Sequence, residues 1–478
     1  MSYRFRWVVC QLDALRHCFP PNLRQYLNEL PETLDETYDR ILKGISKAQK
    51  NNAHRLLQCL TVAVRPLLVE ELAELLAFDF QASTTGGIPT LKEDWRWDDQ
   101  EEAILSTCSS LIAIIPRDDS RVVQFSHFSV KEYLTSSRLA HSPLGEVSRF
   151  RIDLEPAHTI TAQACLATLL HLDEHAGTSD AKVPPLVKYA AQHFVDHVQF
   201  EKVSSRLREG MDDLFDSSKP HFSAWLKIHD TDKRWLYFSP GTRDRVGSPL
   251  YYASLYGFYD LAERLIIKDP EQVNARGGYI VAPLPAALSK RHFDVANLLY
   301  SHGAIVDVRD DDERTPLRAV SFELQMDIMH WLLDHGADAS ARTSSGLTPL
   351  SGVTFGEHVD AVQLLLEHNA DTNSQDNGGD TPLHWVTCYG VSEIKVADIV
   401  RRLLEHGADP NICNNNHSTP LHHALSKGCL EATRLLLSYG AKVDEKDEYG
   451  KTPYELATSG GHDEMRKLLL EYGAIPQQ

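Results

Sequence analysis

Cysteine is sparse and unpatterned in this chain: eight residues among 478, none of them in a C-x-x-C pair. Cys10, Cys18, Cys59, Cys108, Cys165, Cys388, Cys413 and Cys429 stand singly, several amid apolar neighbours. That excludes a zinc ribbon or a disulfide framework and predicts reduced, mostly buried thiols of a cytoplasmic or nuclear protein. Long apolar runs are missing too. Leu111 to Pro116 is far too short to cross a bilayer, and Met1 to Cys10 has Arg4 and Arg6 but no apolar stretch, so no membrane association and no secretory signal are expected. Basic charge is in deficit, 48 Lys and Arg against 67 Asp and Glu for a net −19, with no Lys/Arg run. Such a surface repels phosphate backbones and argues against nucleic acid as a partner. No G-x-S-x-G and no Ser/His/Asp or Cys/His set stands out, and the G-K-T at Gly450 to Thr452 has Glu445 where a P-loop needs its leading glycine. The sequence therefore predicts neither catalysis nor a cofactor.

What the chain does have is repetition. Thr-Pro-Leu recurs at Thr315, Thr348, Thr381 and Thr419, and Thr452-Pro453-Tyr454 closes the series, at spacings of 33, 33, 38 and 33 residues. Degenerate copies precede it at Ser248 and Ala282, 34 and 33 residues apart from their successors. Thr can cap a helix with its hydroxyl, and Pro at the first helical position lacks only a donor that would be orphaned anyway. A short first helix and an apolar second helix follow each time. The second stops at Gly303, Gly336, Gly407, Gly440 or Gly473, and in one repeat at Asn369, where the chain must turn left-handed. A period near 33 with this pattern resembles the ankyrin repeat, and the resemblance covers residues 245–478 with seven repeats starting near 245, 279, 312, 345, 378, 416 and 449. The resemblance implies an α-solenoid with short β-hairpin fingers, whose core is continuous only because repeats stack. The extra residues before Thr419 fall around Val391 to Val396 and are expected to bulge between two helices.

In ankyrin proteins partners lie along the concave face made by first helices and finger tips. Aligned on the Thr-Pro register, the end of the first helix carries an aromatic in four repeats, Tyr256, Phe322, Phe355 and Tyr389, and Lys427 in a later one. Exposed aromatics in a groove are common binding anchors. The finger tips that would join them are Asp311, Asp312, Ser345, Asn377 and Tyr449. A protein partner is thus the expected ligand, while the sequence leaves the oligomeric state open.

The N-terminal half reads as helices: an amphipathic one through Leu34, Tyr38, Ile41 and Leu42 opened by Pro31 and Glu32, then Asn52 to Val62, Val69 to Leu76 and Gln100 to Ser109. Two β-type runs, Leu111 to Ile115 and Arg121 to Phe125, joined by Pro116 to Ser120, complete the order of a winged helix. The stretches Phe5 to Leu15, Leu30 to Leu42 and Phe125 to Leu134 resemble fungal NACHT–ankyrin proteins, signalling NTPases of the NLR-like (STAND) type, and Pro184 to His197 resembles their helical connector. The resemblance implies residual NACHT helices at 1–50, a winged helix at 51–140, a connector at 141–244 and the repeats beyond. It also matches His127 to the histidine that touches the nucleotide β-phosphate, although the upstream P-loop of that family does not stand in this sequence. The pair His193 and His197 has the i, i+4 spacing of a zinc site but no third ligand and packed-helix neighbours, so no metal is expected. The chain is thus expected to be a mostly α protein acting as an interaction scaffold in a signalling or sensing setting. The alternatives are the C-terminal part of a nucleotide-switched NTPase and a DNA-binding winged helix, the latter disfavoured by Asp94, Asp98, Asp99, Glu101 and Glu102.

Overall fold

The computed structural model describes residues 33–81, 87–117, 120–140, 145–173, 184–229 and 246–475. Cys10, Cys18, Pro31 and the earlier part of the expected NACHT helices lie outside these residues. The chain divides into two compact units, residues 1–244 with 258–268, and residues 245–257 with 269–478.

In the first unit, helix α1 (Leu34–Gly44) begins with a capping box, in which Glu36 N–H donates to Thr33 Oγ1 at 3.2 Å and Thr33 N–H to Glu36 Oε2 at 3.4 Å. The winged helix follows as α2 (Lys50–Val62), β1 (Leu67–Leu68), α3 (Val69–Glu74), the short pair β2 (Phe78–Asp79) and β3 (Thr90–Leu91), α4 (Gln100–Cys108), β4 (Ile112–Arg117) and β5 (Ser120–Phe125). The sheet order is β1-β5-β4, fully antiparallel, with Ile112 opposite Phe125 and Arg117 opposite Ser120. The expected turn at Pro116 is therefore part of the strand. Proline is tolerated because β4 is an edge strand, where a missing N–H costs no ladder bond. Two carboxylates of α3 are buried and each is held by an arginine fork. Arg65 donates to Glu71 at 2.6 and 2.7 Å, with Leu68 N–H adding a third bond at 2.9 Å, and Arg96 Nε donates to both Glu74 oxygens at 3.0 and 3.1 Å. Without these partners the two charges would strongly oppose burial.

The connector packs α6 (Leu154–Leu169) against α7 (Val187–Val198), with α5 (Phe128–Thr135) lying between it and the winged helix in sequence. The His193/His197 spacing serves packing. His197 is fully buried, Nε2 within 2.8 Å of the Tyr189 hydroxyl and Nδ1 within 3.0 Å of His158 Nδ1, while His193 pairs with Asp196 at 2.9 Å. Burial, with His158 and His193 adding to it, pulls the His197 pKa down to about 3. The ring is neutral in the folded protein. Helices α8 (Arg208–Leu214) and α9 (Pro220–Ile228) complete this region, and the helix Tyr259–Lys268 belongs to the same unit through Arg264 to Asp212 and Lys268 to Asp216.

The second unit is built on the Thr-Pro period. Within it, the helix Pro249–Leu255 is followed by six helix pairs from Pro283–Ser289 to Asp463–Glu471, the first helices of seven or eight residues and most second helices of nine. Thr315, Thr348, Thr381, Thr419 and Thr452 each cap a first helix with Pro at its start. In two repeats a histidine braces the turn: His384 and His422 place Nδ1 within 3.1 Å of the cap N–H, and Nε2 against a carbonyl of the following finger, Ser418 and Glu445 respectively. The second helices end on left-handed residues, Gly303, Gly336, Gly407, Gly440 and Gly473 at φ 83–89° and Asn369 at 58°. Nothing lies within 4 Å of a Cβ built on any of these five glycines, so backbone conformation rather than space selects the residue.

Adjacent repeats are locked by side chains reaching one period ahead. Asn274, Asn373 and Asn411 each donate to the carbonyl of the next corner glycine, at 2.9, 3.0 and 3.1 Å, and accept the amide N–H two residues beyond it. Arg276 donates to the carbonyl of Arg309 and Arg309 to that of Arg342, both at 2.8 Å, and Arg342 continues the series to Gln375. The fingers themselves are shorter than the expected hairpins. Most are tight turns closed by two backbone bonds, such as Asp376 N–H to Asp380 O at 3.0 Å and Gly379 N–H to Asp376 O at 2.9 Å, and no strand forms there among the described residues. The insertion also differs from expectation: instead of bulging, it lengthens the fifth second helix to 13 residues, Glu393–Glu405, because Val396, Ile399, Val400 and Leu403 continue the buried stripe. Glu357 accepts the backbone N–H of Val391 and Ser392 and so anchors its approach.

Asp307 stands 33 residues after Asn274, in the same register, but as an acid it has only half of the clamp. Its Oδ2 accepts Asp338 N–H at 2.9 Å, whereas buried Oδ1 has no partner and burial raises the carboxyl pKa. Asp307→Asn supplies the missing donor toward the Gly336 corner and should stabilise the full chain by about 1 kcal/mol at pH 7 in urea unfolding. A raised folded pKa means the wild-type side chain's stability is full below the ordinary value and lost as pH rises through the raised one, so the variant's advantage should shrink as pH falls. His197 acts in the opposite sense. Its depressed pKa favours the fold above about 6.5, and that stability is lost progressively as pH falls toward 3. The urea midpoint should therefore drop between pH 7 and 4, and His197→Gln should make that drop smaller.

Candidate functional site

First helices of the third to seventh repeats pack side by side in turn, so residues one period apart along them form a continuous strip. Among the four aromatics at this register, three are open to solvent: Phe322 at 65%, Tyr389 at 52% and Phe355 at 46% exposure. Tyr256 is not. At 8% exposure it is buried, its ring lying 6.1 Å from Tyr252 on its own helix, and it leaves the set of candidate anchors. Register alone places a side chain at the helix end; whether it is covered depends on the surrounding fold.

The structure brings Phe355 and Tyr389 together with a residue that the sequence reading missed. Trp385 sits one turn before Tyr389, its ring stacked on the tyrosine at 5.1 Å, and both meet Phe355 edge-on, at 5.7 and 5.5 Å. Its indole N–H donates to Asp376 Oδ2 of the finger at 3.0 Å, which fixes the ring on the strip. The signal was available as an i, i+4 aromatic pair on the Pro382–Tyr389 helix. Phe322 stands one repeat earlier, with the Arg318 guanidinium 6.0 Å from its ring centre, at the outer limit for a cation–π contact. Lys427 is exposed at the far side, and the apolar residues Val391 and Ile394 continue the open surface beyond Tyr389.

The finger-tip residues are exposed but mostly engaged in finger-to-finger bonding. Asp312 O accepts Ser344 N–H at 3.2 Å and Ser345 O accepts Asn377 N–H at 3.0 Å, while Asn377 Nδ2 donates to Ser344 O at 3.1 Å. Asp311 lies 3.9 Å from Arg276, and Tyr449 projects with 78% exposure from the last finger.

His127 lies in the first unit and caps α5. Its Nδ1 accepts Ser129 N–H at 3.2 Å and meets Ser129 Oγ at 2.6 Å, which in turn lies 2.7 Å from the buried Tyr38 hydroxyl of α1. This chain of bonds ties α5 to α1 and accounts for the histidine within the fold.

With this geometry in view, comparisons with known proteins give a consistent picture. Residues 250–343, 317–411 and 389–478 each match the family described as ankyrin repeats (3 copies), and residues 38–145 match the winged helix domain of GPI inositol-deacylase. The chain is similar to azaphilone pigments biosynthesis cluster protein L of Monascus ruber, 32% identical over 300 residues, 59% of this chain and 61% of that protein. It also resembles alpha-latrocrustotoxin-Lt1a of Latrodectus tredecimguttatus, 33% identical over 78 residues, 16% of this chain and 6% of the toxin. An ankyrin repeat protein of Rickettsia felis is 40% identical over 74 residues, 16% of this chain and 32% of that protein. The chain thus spans about three fifths of the first relative's length and much less of the others.

Proposed function

We propose that this chain, an ankyrin-repeat protein with an N-terminal winged-helix domain, is a recognition scaffold that holds a protein partner on the first-helix strip of its third to fifth repeats. The observation that carries the reading is the open cluster of Phe355, Trp385 and Tyr389, continued by Phe322. Aromatic rings on a rigid support bury large area at little conformational cost, which is how a few residues dominate an interface. The reading assigns no reaction to the chain. Its setting is NLR-like signalling or sensing, supported by the likeness of the N-terminal half to NACHT–ankyrin proteins. A cytoplasmic or nuclear location suits the free thiols: burial pushes Cys59 up to about 11 and Cys108 to about 12, far from the reactive thiolate. Among the described residues no helix is long and apolar enough to cross a membrane.

A second reading, the C-terminal part of a nucleotide-switched NTPase, is favoured by the winged-helix match at 38–145 and by the position of His127. Two measurements separate them. Phe355→Ala with Tyr389→Ala should lower affinity for a protein retained by the full chain roughly a hundredfold, at about tenfold per anchor, with an unchanged urea midpoint. The scaffold reading is wrong if every retained protein binds the double variant as well as the wild type. Saturable binding of labelled ATP or GTP with Mg²⁺ to the full chain, abolished by His127→Ala, would move the assignment to the second reading.

A further inference from the structure

The same strip carries an uncommitted positive charge. Arg318, one turn before Phe322 on the Pro316–Glu323 helix, makes no ion pair and no side-chain hydrogen bond among the described residues, and its buried Nε has no partner. Its guanidinium lies across the next first helix at Gly352, where a Cβ would come within 3.0 Å of Nη1 and 3.3 Å of Cζ. Glycine at this point leaves the room that the planar group occupies. The acidic neighbours are engaged elsewhere: Asp310 and Asp312 pair with Arg314, Glu323 accepts Gln325 Nε2 at 2.6 Å, and Glu357 holds the backbone at Val391 and Ser392. Lys290 and Lys427, exposed at the corresponding helix ends, form no ion pair among the described residues either.

In a chain of net charge −19, Arg318 is thus an unpaired cation set beside open aromatics. A partly buried guanidinium without an acceptor is costly, and a carboxylate approaching along its open edge is the ligand that recovers most from it, through two parallel charge-assisted bonds. Resting on the scaffold reading above, we propose that the partner presents an acidic segment, an Asp or Glu carboxylate seated on Arg318 and an aromatic or large aliphatic side chain seated on Phe355, Trp385 and Tyr389. Arg318 sets the acidic preference, and the rings supply most of the affinity.

The test uses the full chain and random dodecapeptides displayed on phage, followed by synthetic peptides of the enriched sequences in acid and amide forms (Asp→Asn, Glu→Gln). Enriched peptides are expected to combine an acid with an aromatic or large aliphatic residue, the amide form binding at least tenfold more weakly. Arg318→Met should erase the difference between acid and amide forms at a urea midpoint no lower than that of the wild type, and Arg318→Lys should restore part of it. Equal binding of the two forms, or discrimination that survives in Arg318→Met, overturns the acidic assignment. If Phe355→Ala still abolishes binding in that case, the groove reading stands. Failure to enrich any peptide whose binding depends on Phe355 or Tyr389 overturns both.

Discussion

The repeat unit depends on side chains that bond to the backbone of the following repeat. A single helix pair buries one face of each helix and leaves the other to its neighbour, so a lone repeat has too little core to be stable. Apolar stacking alone would allow neighbours to slide or splay. The Asn clamps at 274, 373 and 411 and the arginine bonds from 276 and 309 remove that freedom, because each meets backbone groups at one fixed spacing. Lateral alignment of the first helices follows, and with it the strip on which Phe355, Trp385 and Tyr389 meet. Recognition in this molecule is therefore downstream of register.

The first unit solves a different problem with similar means. Its winged helix is small and carries acidic residues where α3 enters the core, and Arg65 and Arg96 neutralise them by fork-like bonding. The Tyr189–His197–His158 array does the same for polar groups between α6 and α7. In each case charge or polarity is admitted to the interior only with its partners in place.

The caps, corners and period of the repeats were legible because they are local: Thr, Pro and Gly act through their own backbone, and the tally of their spacing needs no tertiary knowledge. The winged-helix order was legible for the same reason. Features that depend on a neighbour were not. Pro116 looked like a turn until the sheet order made β4 an edge. The insertion looked like a bulge because spacing does not reveal that Val396 and Ile399 extend a buried stripe. Tyr256 looked equivalent to Phe355, yet the fold buries it, and Trp385 was passed over because an aromatic inside a first helix reads as core. The orphaned Arg318 could not be inferred at all, since an unpaired charge is a property of surroundings.

The corner glycines carry a further lesson. Around Gly303, Gly336, Gly407, Gly440 and Gly473 there is open space, so a methyl group would meet nothing, and yet the chain there lies in the left-handed region. The corner is thus indifferent to size and selective for chirality. A D-alanine, the mirror image of what ribosomes supply, would fit each of these positions as comfortably as glycine does. Glycine stands at them as the one achiral member of a one-handed alphabet.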